Sequence, residues 1–350
     1  MTAPAPPPPP APASGPHASD APTASKLPRC ILHENGNVRR NLDVRDIAAA
    51  VRESQGTIWV DIDTNSRQQV ALLDKVFHFH HLAIEDVLNP NSRAKVEEYD
   101  GYVFVIIRAV RFVEHTEDPY DLETVNLALF IGRNYLVTCH AGAAAPIDQI
   151  HELSARSADL VARGPARLAH QVMDVAVDGY FRILDRVDEF IDNLEERVFG
   201  KFSEASLRDI FAVKRLALSL RRYLAPHREI FNVLSYRPSA LLPADVQVYF
   251  RDVYDHMLRI IDSLDAYRDL LSSTLESYLS QVSNRLGRVT QGLTIVATLS
   301  VPFVVVSGMY GMNFERIPLA SHPWGFEILV ALQLALGLGL IGVLKWRRWI

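Results

Sequence analysis

The chain has 350 residues, of which 49% are hydrophobic and 22% charged, and its formal net charge is −5. This negative balance without a basic block argues against a nucleic-acid-binding protein, which needs a positively charged footprint. The two cysteines, Cys30 and Cys139, cannot build a disulfide framework or a paired-cysteine metal site, and they suit a reducing compartment. The first residues lack the basic and apolar segments of a secretory signal, so we expect most of the protein to be cytoplasmic.

Residues 1–28 form a Pro/Ala-rich tract that has too little apolar surface to offset its chain entropy. We predict a disordered tail there, with a proline-rich docking ligand as the alternative. The next segment, residues 29–145, mixes strand and helix patterns and is predicted to be an α/β domain. Its predicted strands are Thr57–Ile62, Tyr102–Arg108, Leu127–Ile131 and Asn134–Thr138. Its predicted helices are Arg67–Phe77 and His81–Asn89.

Residues 146–287 lack strand patterns and are predicted to be helical, ending in a long stalk. Apolar residues recur at steps of three and four from Phe250 to Val282, which is typical of one packed face of a helix. A helix that runs from Asp245 to Tyr310 is about 100 Å long. No small domain covers such a helix, so its apolar stripe must pack on other helices, including copies of itself.

Two uncharged segments, Val289–Phe314 and Ile328–Leu344, follow the stalk. They predict transmembrane helices at residues 288–314 and 324–345, since about 20 apolar residues cross a bilayer as a helix. Buried core helices are the alternative. Basic residues precede the first span and follow the second, in the tail 346–350, so both ends are predicted to face the cytoplasm. Residues 315–323 then form a short external loop.

Two helices cannot enclose an aqueous path, so a conducting protein of this kind needs several copies. The first span carries the polar residues Thr290, Gln291, Thr294, Thr298 and Ser300, whereas the second is rich in leucine and glycine. Polar residues are tolerated in a membrane where they line a wet cavity. We therefore expect the first span to line the path and the second to surround it.

The first span ends with Tyr310–Phe314, which reads Tyr-Gly-Met-Asn-Phe. This motif, between a stalk helix and one further span, resembles the signature of the CorA-type magnesium transporter family. Other segments resemble family patterns as well, namely His80–Asn89, Lys95–Phe104, Tyr249–His256, Leu279–Asn284 and Leu293–Thr298. The resemblance implies a funnel-shaped homopentamer in the cell inner membrane, with five copies of the first span around one pore.

The resemblance also implies a selectivity filter at Gly311, Met312 and Asn313. Mg²⁺ gives up its water reluctantly, so a ring of neutral oxygens from Gly311 carbonyls and Asn313 amides suits the hydrated ion. A ring of Glu315 in the external loop raises the local cation concentration. Transport needs no nucleotide: the chain has no phosphate-binding loop motif, and a divalent ion entering a cell at about −100 mV gains about 4.6 kcal/mol.

Further site residues follow from the same resemblance. Those that match its pore-lining positions are Asn284, Gly287, Thr290, Leu293, Ala297, Val301, Val304 and Gly308. Glu276 matches an acidic ring at the cytoplasmic mouth. Asp86 and Asp252 match acids that share a regulatory Mg²⁺ between subunits, and Glu85 and Asp174 match a secondary site. The alternative for each acid is a solvated surface group or an ion pair.

Several features leave the ion preference open. An external acid of the family pattern is missing from the loop, which reads Ile-Pro-Leu-Ala over Ile317–Ala320, and Gly287 and Val304 depart from the usual pore residues. The alternatives are a transporter of Zn²⁺, Co²⁺ or Ni²⁺, or a membrane-anchored coiled-coil sensor that conducts nothing. No nucleophile–base constellation suggests an enzyme. His78, His80 and His81 lack further ligands at zinc spacing, so we predict a surface or capping role for them.

Overall fold

The structure is a computed structural model that describes residues 27–53, 56–113, 116, 118–157, 159–200, 204–312, 318–319 and 322–347. Most of the predicted tail lies outside these residues, as do Asn313 and Glu315. The chain divides into two compact units. Unit 1 contains residues 1–194 and 208–271, and unit 2 contains residues 195–207 and 272–350.

The described part of unit 1 contains a seven-stranded sheet in the order β2-β1-β3-β7-β6-β5-β4. The strands are β1 Arg29–Glu34, β2 Asn37–Arg40, β3 Thr57–Asp63, β4 Lys95–Tyr99, β5 Tyr102–Phe112, β6 Leu122–Gly132 and β7 Tyr135–His140. Strands β3 and β7 pair in parallel, and the other neighbours pair antiparallel. The four predicted strands are confirmed, and β1, β2 and β4 were not predicted.

The first helices pack around this sheet and share its core. They are α1 Val44–Glu53, α2 Arg67–Lys75, α3 His81–Leu88, α4 Ala145–Arg156 and α5 Asp159–Ala162. The ring of Phe79, just before α3, stacks on Phe130 of β6 with centroids 3.9 Å apart. His80 caps α3, because its Nδ1 accepts a hydrogen bond from the Leu82 N–H at 3.3 Å. This bond confirms a capping role for His80, and the exposed His78 and His81 agree with the predicted surface role.

The rest of the fold is helical: α6 Pro165–Gly200, α7 Glu204–Tyr236, α8 Ala244–Tyr310 and α9 Gly325–Trp346. Helix α8 has 67 residues and contains the whole predicted stalk helix. In unit 1 its apolar stripe is buried, with Phe250, Val253, Met257, Ile260 and Leu264 almost inaccessible to solvent. Two helices, α8 and α9, are long and apolar enough to cross a membrane. The predicted fold class, an α/β domain with a long helix and two C-terminal apolar helices, is thus confirmed.

Candidate functional site

The C-terminal end of α8 carries the first two residues of the predicted filter. The Gly311 N–H donates to the carbonyls of Ser307 and Gly308, at 3.0 and 3.1 Å, and the Met312 N–H donates to the Met309 carbonyl at 3.3 Å. These short-range bonds close the last turn of the helix. Both Gly311 and Met312 are exposed. Asn313 and Glu315 lie beyond the described residues, and their roles stay predictions.

One face of α8 in unit 2 is partly covered. The half-buried residues there are Gln291, Ile295, Leu299, Pro302, Phe303, Val306 and Tyr310. Phe303 packs against α9, because a Cβ atom added at the buried Gly337 of α9 would lie 2.8 Å from the Cζ atom of Phe303. Nearer the end of the helix, the Gln333 amide nitrogen lies 3.5 Å from the Ser307 hydroxyl, and the Tyr310 hydroxyl donates to the Pro318 carbonyl at 2.8 Å. Small residues such as Gly337 let membrane helices approach each other closely.

The residues predicted to line the pore lie on the other side of α8. An α-helix turns about 100° per residue, so the half-buried residues and the predicted pore residues point in opposite directions. The latter set is Thr290, Leu293, Ala297, Val301, Val304 and Gly308, and all of these residues are exposed. Leu293 and Val304 are 70% and 69% exposed. The chain therefore leaves this stripe of α8 uncovered, and Asn284 and Gly287, further toward the stalk, are exposed as well.

Polar residues of the first span divide between two roles. Gln291 belongs to the half-buried face, whereas Thr290, Thr294, Thr298 and Ser300 are exposed. The hydroxyls of Thr294 and Ser300 donate to carbonyls one turn earlier in the same helix, those of Thr290 and Val296, at 2.8 and 2.7 Å. Their protons are used within the helix, and the hydroxyl oxygens keep their capacity to accept hydrogen bonds.

Among the acids proposed to sense Mg²⁺, Asp86 on α3 already has two neighbours. Its Oδ2 lies 2.6 Å from the Lys95 Nζ, and the Ser92 hydroxyl donates to its Oδ1 at 3.2 Å. Burial lowers the pKa of Lys95, but hydrogen bonds to Asp86 and Glu97 outweigh it and raise that pKa above the ordinary value. Glu85, one residue earlier on α3, is exposed. Both residues are carboxylates, the ligand type that Mg²⁺ prefers.

Asp252 lies on α8 and is exposed, with its Oδ2 3.8 Å from the His256 Nε2. Asp86 lies on α3 and Asp252 on α8, and the ion that the family resemblance assigns to both acids stays a prediction.

Asp174 belongs to a group that the sequence reading identified only in part. One ligand atom each from Asp174, Asp178 and His256 lies within 4.8 Å of the others. Burial raises the pKa of Asp174, and the charge of Asp178 raises it further, so a bound cation relieves both effects. Asp178 and His256 were missed, although the four-residue step from Asp174 places Asp178 on the same face of α6. Two carboxylates and an imidazole suit a divalent transition metal.

The acids along the stalk face solvent. Glu276 is exposed, as are the residues at seven-residue steps before it, Asp255, Asp262 and Asp269. The Arg268 guanidinium lies 3.0 Å from Oδ1 of Asp269, so one of these acids takes part in an ion pair. Glu276 keeps its predicted place on an exposed face of α8, and its role at the pore mouth stays a prediction.

Comparisons with known proteins agree with this arrangement. The sequence profile described as "CorA-like Mg2+ transporter protein" matches residues 54–346. The cobalt/magnesium transport protein CorA of Thermotoga maritima is 30% identical over 301 residues, which are 85% of each chain. A CorA of Methanocaldococcus jannaschii is 23% identical over 300 residues, or 85% of this chain and 93% of that protein.

The fold also matches a solved structure, the complete CorA magnesium transporter from Methanocaldococcus jannaschii. The TM-score is 0.80 with 21% identity, and the match covers 94% of this chain and 100% of the other. Together with the two apolar C-terminal helices, these matches confirm the predicted localisation in the inner membrane. The profile spans well over half of the chain, and we conclude that this protein belongs to the CorA family of divalent metal ion transporters.

Proposed function

We propose that the protein is a homopentameric channel that carries Mg²⁺ into the cell, driven by the membrane potential and without a nucleotide. One observation carries this proposal: α8 has an uncovered stripe opposite the face that packs on α9, and this stripe leads to Gly311. Five such stripes around an axis enclose a pore, whereas one chain with two membrane helices cannot. The soluble unit and the C-terminus face the cytoplasm, as the flanking basic residues require.

In this proposal the ion passes a series of rings from the outside to the inside. Glu315 concentrates cations, and Gly311, Met312 and Asn313 accept hydrogen bonds from the water around Mg²⁺, which holds that water tightly. Below the filter, Gly308 and Val304 precede narrow rings at Val301 and Leu293, which alternate with the smaller Ala297 and Thr290. Gly287, Asn284 and Glu276 form the cytoplasmic end. Apolar rings of this kind gate a pore by excluding water.

Intracellular Mg²⁺ closes the channel in this proposal by binding between soluble units of neighbouring copies. Asp86 and Asp252 supply one ion site, and Glu85 and Asp174 contribute to a second. A divalent ion that binds carboxylates of two copies holds those copies in one arrangement. When the ion leaves, the copies separate and the pore opens.

The test is Mg²⁺ flux through the purified protein in lipid vesicles that contain a fluorescent Mg²⁺ indicator. We expect flux that rises with an inside-negative potential and that falls to the background of empty vesicles in Asn313→Ala. Crosslinking of the unmodified protein and of Asn313→Ala should give a pentamer in both cases. Flux that survives in Asn313→Ala contradicts the filter, and a monomer in lipid contradicts the whole proposal.

A second candidate, transport of Co²⁺, Ni²⁺ or Zn²⁺, is favoured by the donor set of Asp174, Asp178 and His256. Imidazole binds these metals better than it binds Mg²⁺. The same vesicles with indicators for each metal rank the ions directly. A pentamer that passes no metal at all supports the third possibility, a sensor that conducts nothing.

A further inference from the structure

The carboxylate of Asp86 is engaged on both oxygens in a single copy of the chain. Its Oδ1 accepts the hydrogen bond from Ser92 at 3.2 Å, and its Oδ2 lies 2.6 Å from the ammonium of Lys95. Ser92 is buried, and about a quarter of each of the two charged side chains is accessible, 28% for Asp86 and 29% for Lys95. An ion that binds Asp86 therefore meets a carboxylate that is already neutralised.

Lys95 is held at this position by more than Asp86. Its Nζ also lies 2.9 Å from Oε1 of Glu97, two residues along the edge strand β4. The other oxygen of Glu97 accepts a hydrogen bond from the Tyr99 hydroxyl at 2.9 Å. The ammonium also sits over the ring of Phe104, 5.7 Å from its centroid. Lys95 thus bridges two carboxylates, and it keeps a partner when one of them is taken away.

We propose that Lys95 is a built-in competitor of the regulatory ion at Asp86, and that it sets the divalent concentration at which this site fills. The inference rests on the proposed function, since it takes Asp86 as a sensing ligand. When an ion binds Asp86, the ammonium gives up that carboxylate and stays on Glu97. Neither charge is left unpaired, which makes the exchange reversible at low cost.

The exchange also selects for ion charge. A monovalent cation that replaces the ammonium brings no more charge to Asp86 than it removes, so it gains little. A divalent ion brings twice the charge, and Coulomb attraction grows in proportion. Lys95 therefore lowers the affinity of Asp86 for every cation but lowers the response to monovalent cations most, which suits a sensor that works in a salt solution.

The test measures the Mg²⁺ concentration that gives half-maximal protection of the purified full-length protein against chymotrypsin, a protease that does not cleave at lysine. In Lys95→Met we expect this concentration to fall at least threefold. Lys75→Met is the matched control, because Lys75 is an exposed lysine at the end of α2 and its loss changes the net charge equally. The half-maximal Mg²⁺ concentration of Lys75→Met should stay within twofold of that of the unmodified protein. We expect the same for Lys95→Arg, which keeps the charge.

The variant Asp86→Asn tests the sensing role of Asp86 separately from the competition by Lys95. If Asp86→Asn raises the protecting concentration and Lys95→Met lowers it, and if Lys95→Met has no effect in the Asp86→Asn background, the inference stands. If Asp86→Asn acts as expected but Lys95→Met leaves the concentration unchanged or raises it, Lys95 is a positioning residue and the competition is wrong. If Asp86→Asn changes nothing, the sensing role of Asp86 fails, and the inference fails with it.

Discussion

The two units of the chain differ in how far their apolar side chains are exposed to solvent. In unit 1 the large apolar residues are enclosed, and Trp59, Phe104, Phe130 and Phe250 have no accessible surface. In unit 2 many apolar residues of both membrane helices are exposed, and Leu338 of α9 is 69% exposed. Burial of apolar surface stabilises a protein only where it removes that surface from water. Unit 1 therefore encloses its own core, whereas the exposed apolar surface of unit 2 suits a lipid environment.

The largest effect should come from truncating a core side chain in unit 1. Phe130→Ala removes a ring that stacks on Phe79 and Phe104, and we expect the unfolding free energy to fall by about 3–5 kcal/mol. Leu338→Ala in α9 leaves no cavity within one chain, so we expect a loss below about 1 kcal/mol. Denaturant unfolding in detergent, followed by near-ultraviolet circular dichroism, measures both. Equal losses would mean that Leu338 is enclosed in the native assembly.

A glycine pair in α9 sharpens the comparison inside unit 2. Gly337→Leu forces a side chain against Phe303, where even a Cβ lies 2.8 Å from the ring. We expect a loss of about 1–3 kcal/mol through overpacking, seen as a lower melting temperature in detergent. Gly339→Leu is the matched control, since nothing lies within 4 Å of a Cβ there. If Gly339→Leu destabilises as much, the two spans do not meet as α8 and α9 do in this structure.

A smaller effect is expected from a buried polar cluster in unit 1. Asp61 is almost fully buried, the Arg29 guanidinium lies 2.7 Å from it, and its other oxygen accepts a hydrogen bond from Thr138 at 2.7 Å. His140 Nε2 lies 3.2 Å from Asp61, and His151 Nε2 of α4 lies 3.5 Å away. Burial favours protonation of Asp61, but the hydrogen bond from His140 and the charge of Arg29 hold its pKa well below the usual range.

His140 gives this cluster a pH dependence. Burial lowers its pKa, but the hydrogen bond to Asp61, the charge of Asp61 and the hydrogen bond to the Gly142 carbonyl together outweigh burial and raise the pKa above the unfolded value. The stabilisation is complete below the unfolded pKa and is lost as the pH rises through the folded one. His140→Gln should therefore cost more stability at about pH 5.5 than at about pH 8.5. Thermal unfolding at both pH values tests this, and an equal cost at both contradicts a charged His140.

Much of the fold was predictable because local patterns agree with the final packing. The alternation and apolar runs in Tyr102–Arg108 and Leu127–Ile131 sit in central strands, where both faces are buried. Two of the three strands that were missed carry mostly polar residues. Strand β2 reads Asn-Val-Arg-Arg, and β4 reads Lys-Val-Glu-Glu-Tyr. Both are edge strands, and charged residues are common there because they discourage pairing with other chains.

The candidate site was predictable only in part. The motif at the end of α8 led to the predicted filter position, which stays a prediction, and the spacing of Thr290, Leu293, Ala297 and Val301 matches one face of a helix. The group formed by Asp174, Asp178 and His256 joins two helices that are far apart in the chain. The pairing of Lys95 with Asp86 joins an edge strand to α3. Neither of these two contacts produces a periodic pattern in the sequence. A periodic pattern indicates which face of a helix or strand is buried, but it does not indicate which residues of another element lie against that face.

The amino-acid sequence by itself determined the long stalk helix, the two membrane spans and the family, because hydropathy, helical period and a short motif are properties of neighbouring residues. Only the tertiary structure decided which face of α8 packs on α9 and which acids already have a basic partner. Those features depend on distances between segments remote in sequence, and such distances are set by the packing of the whole core. The chemistry of Asp86 therefore depends on Lys95, a residue that its own helix does not contain.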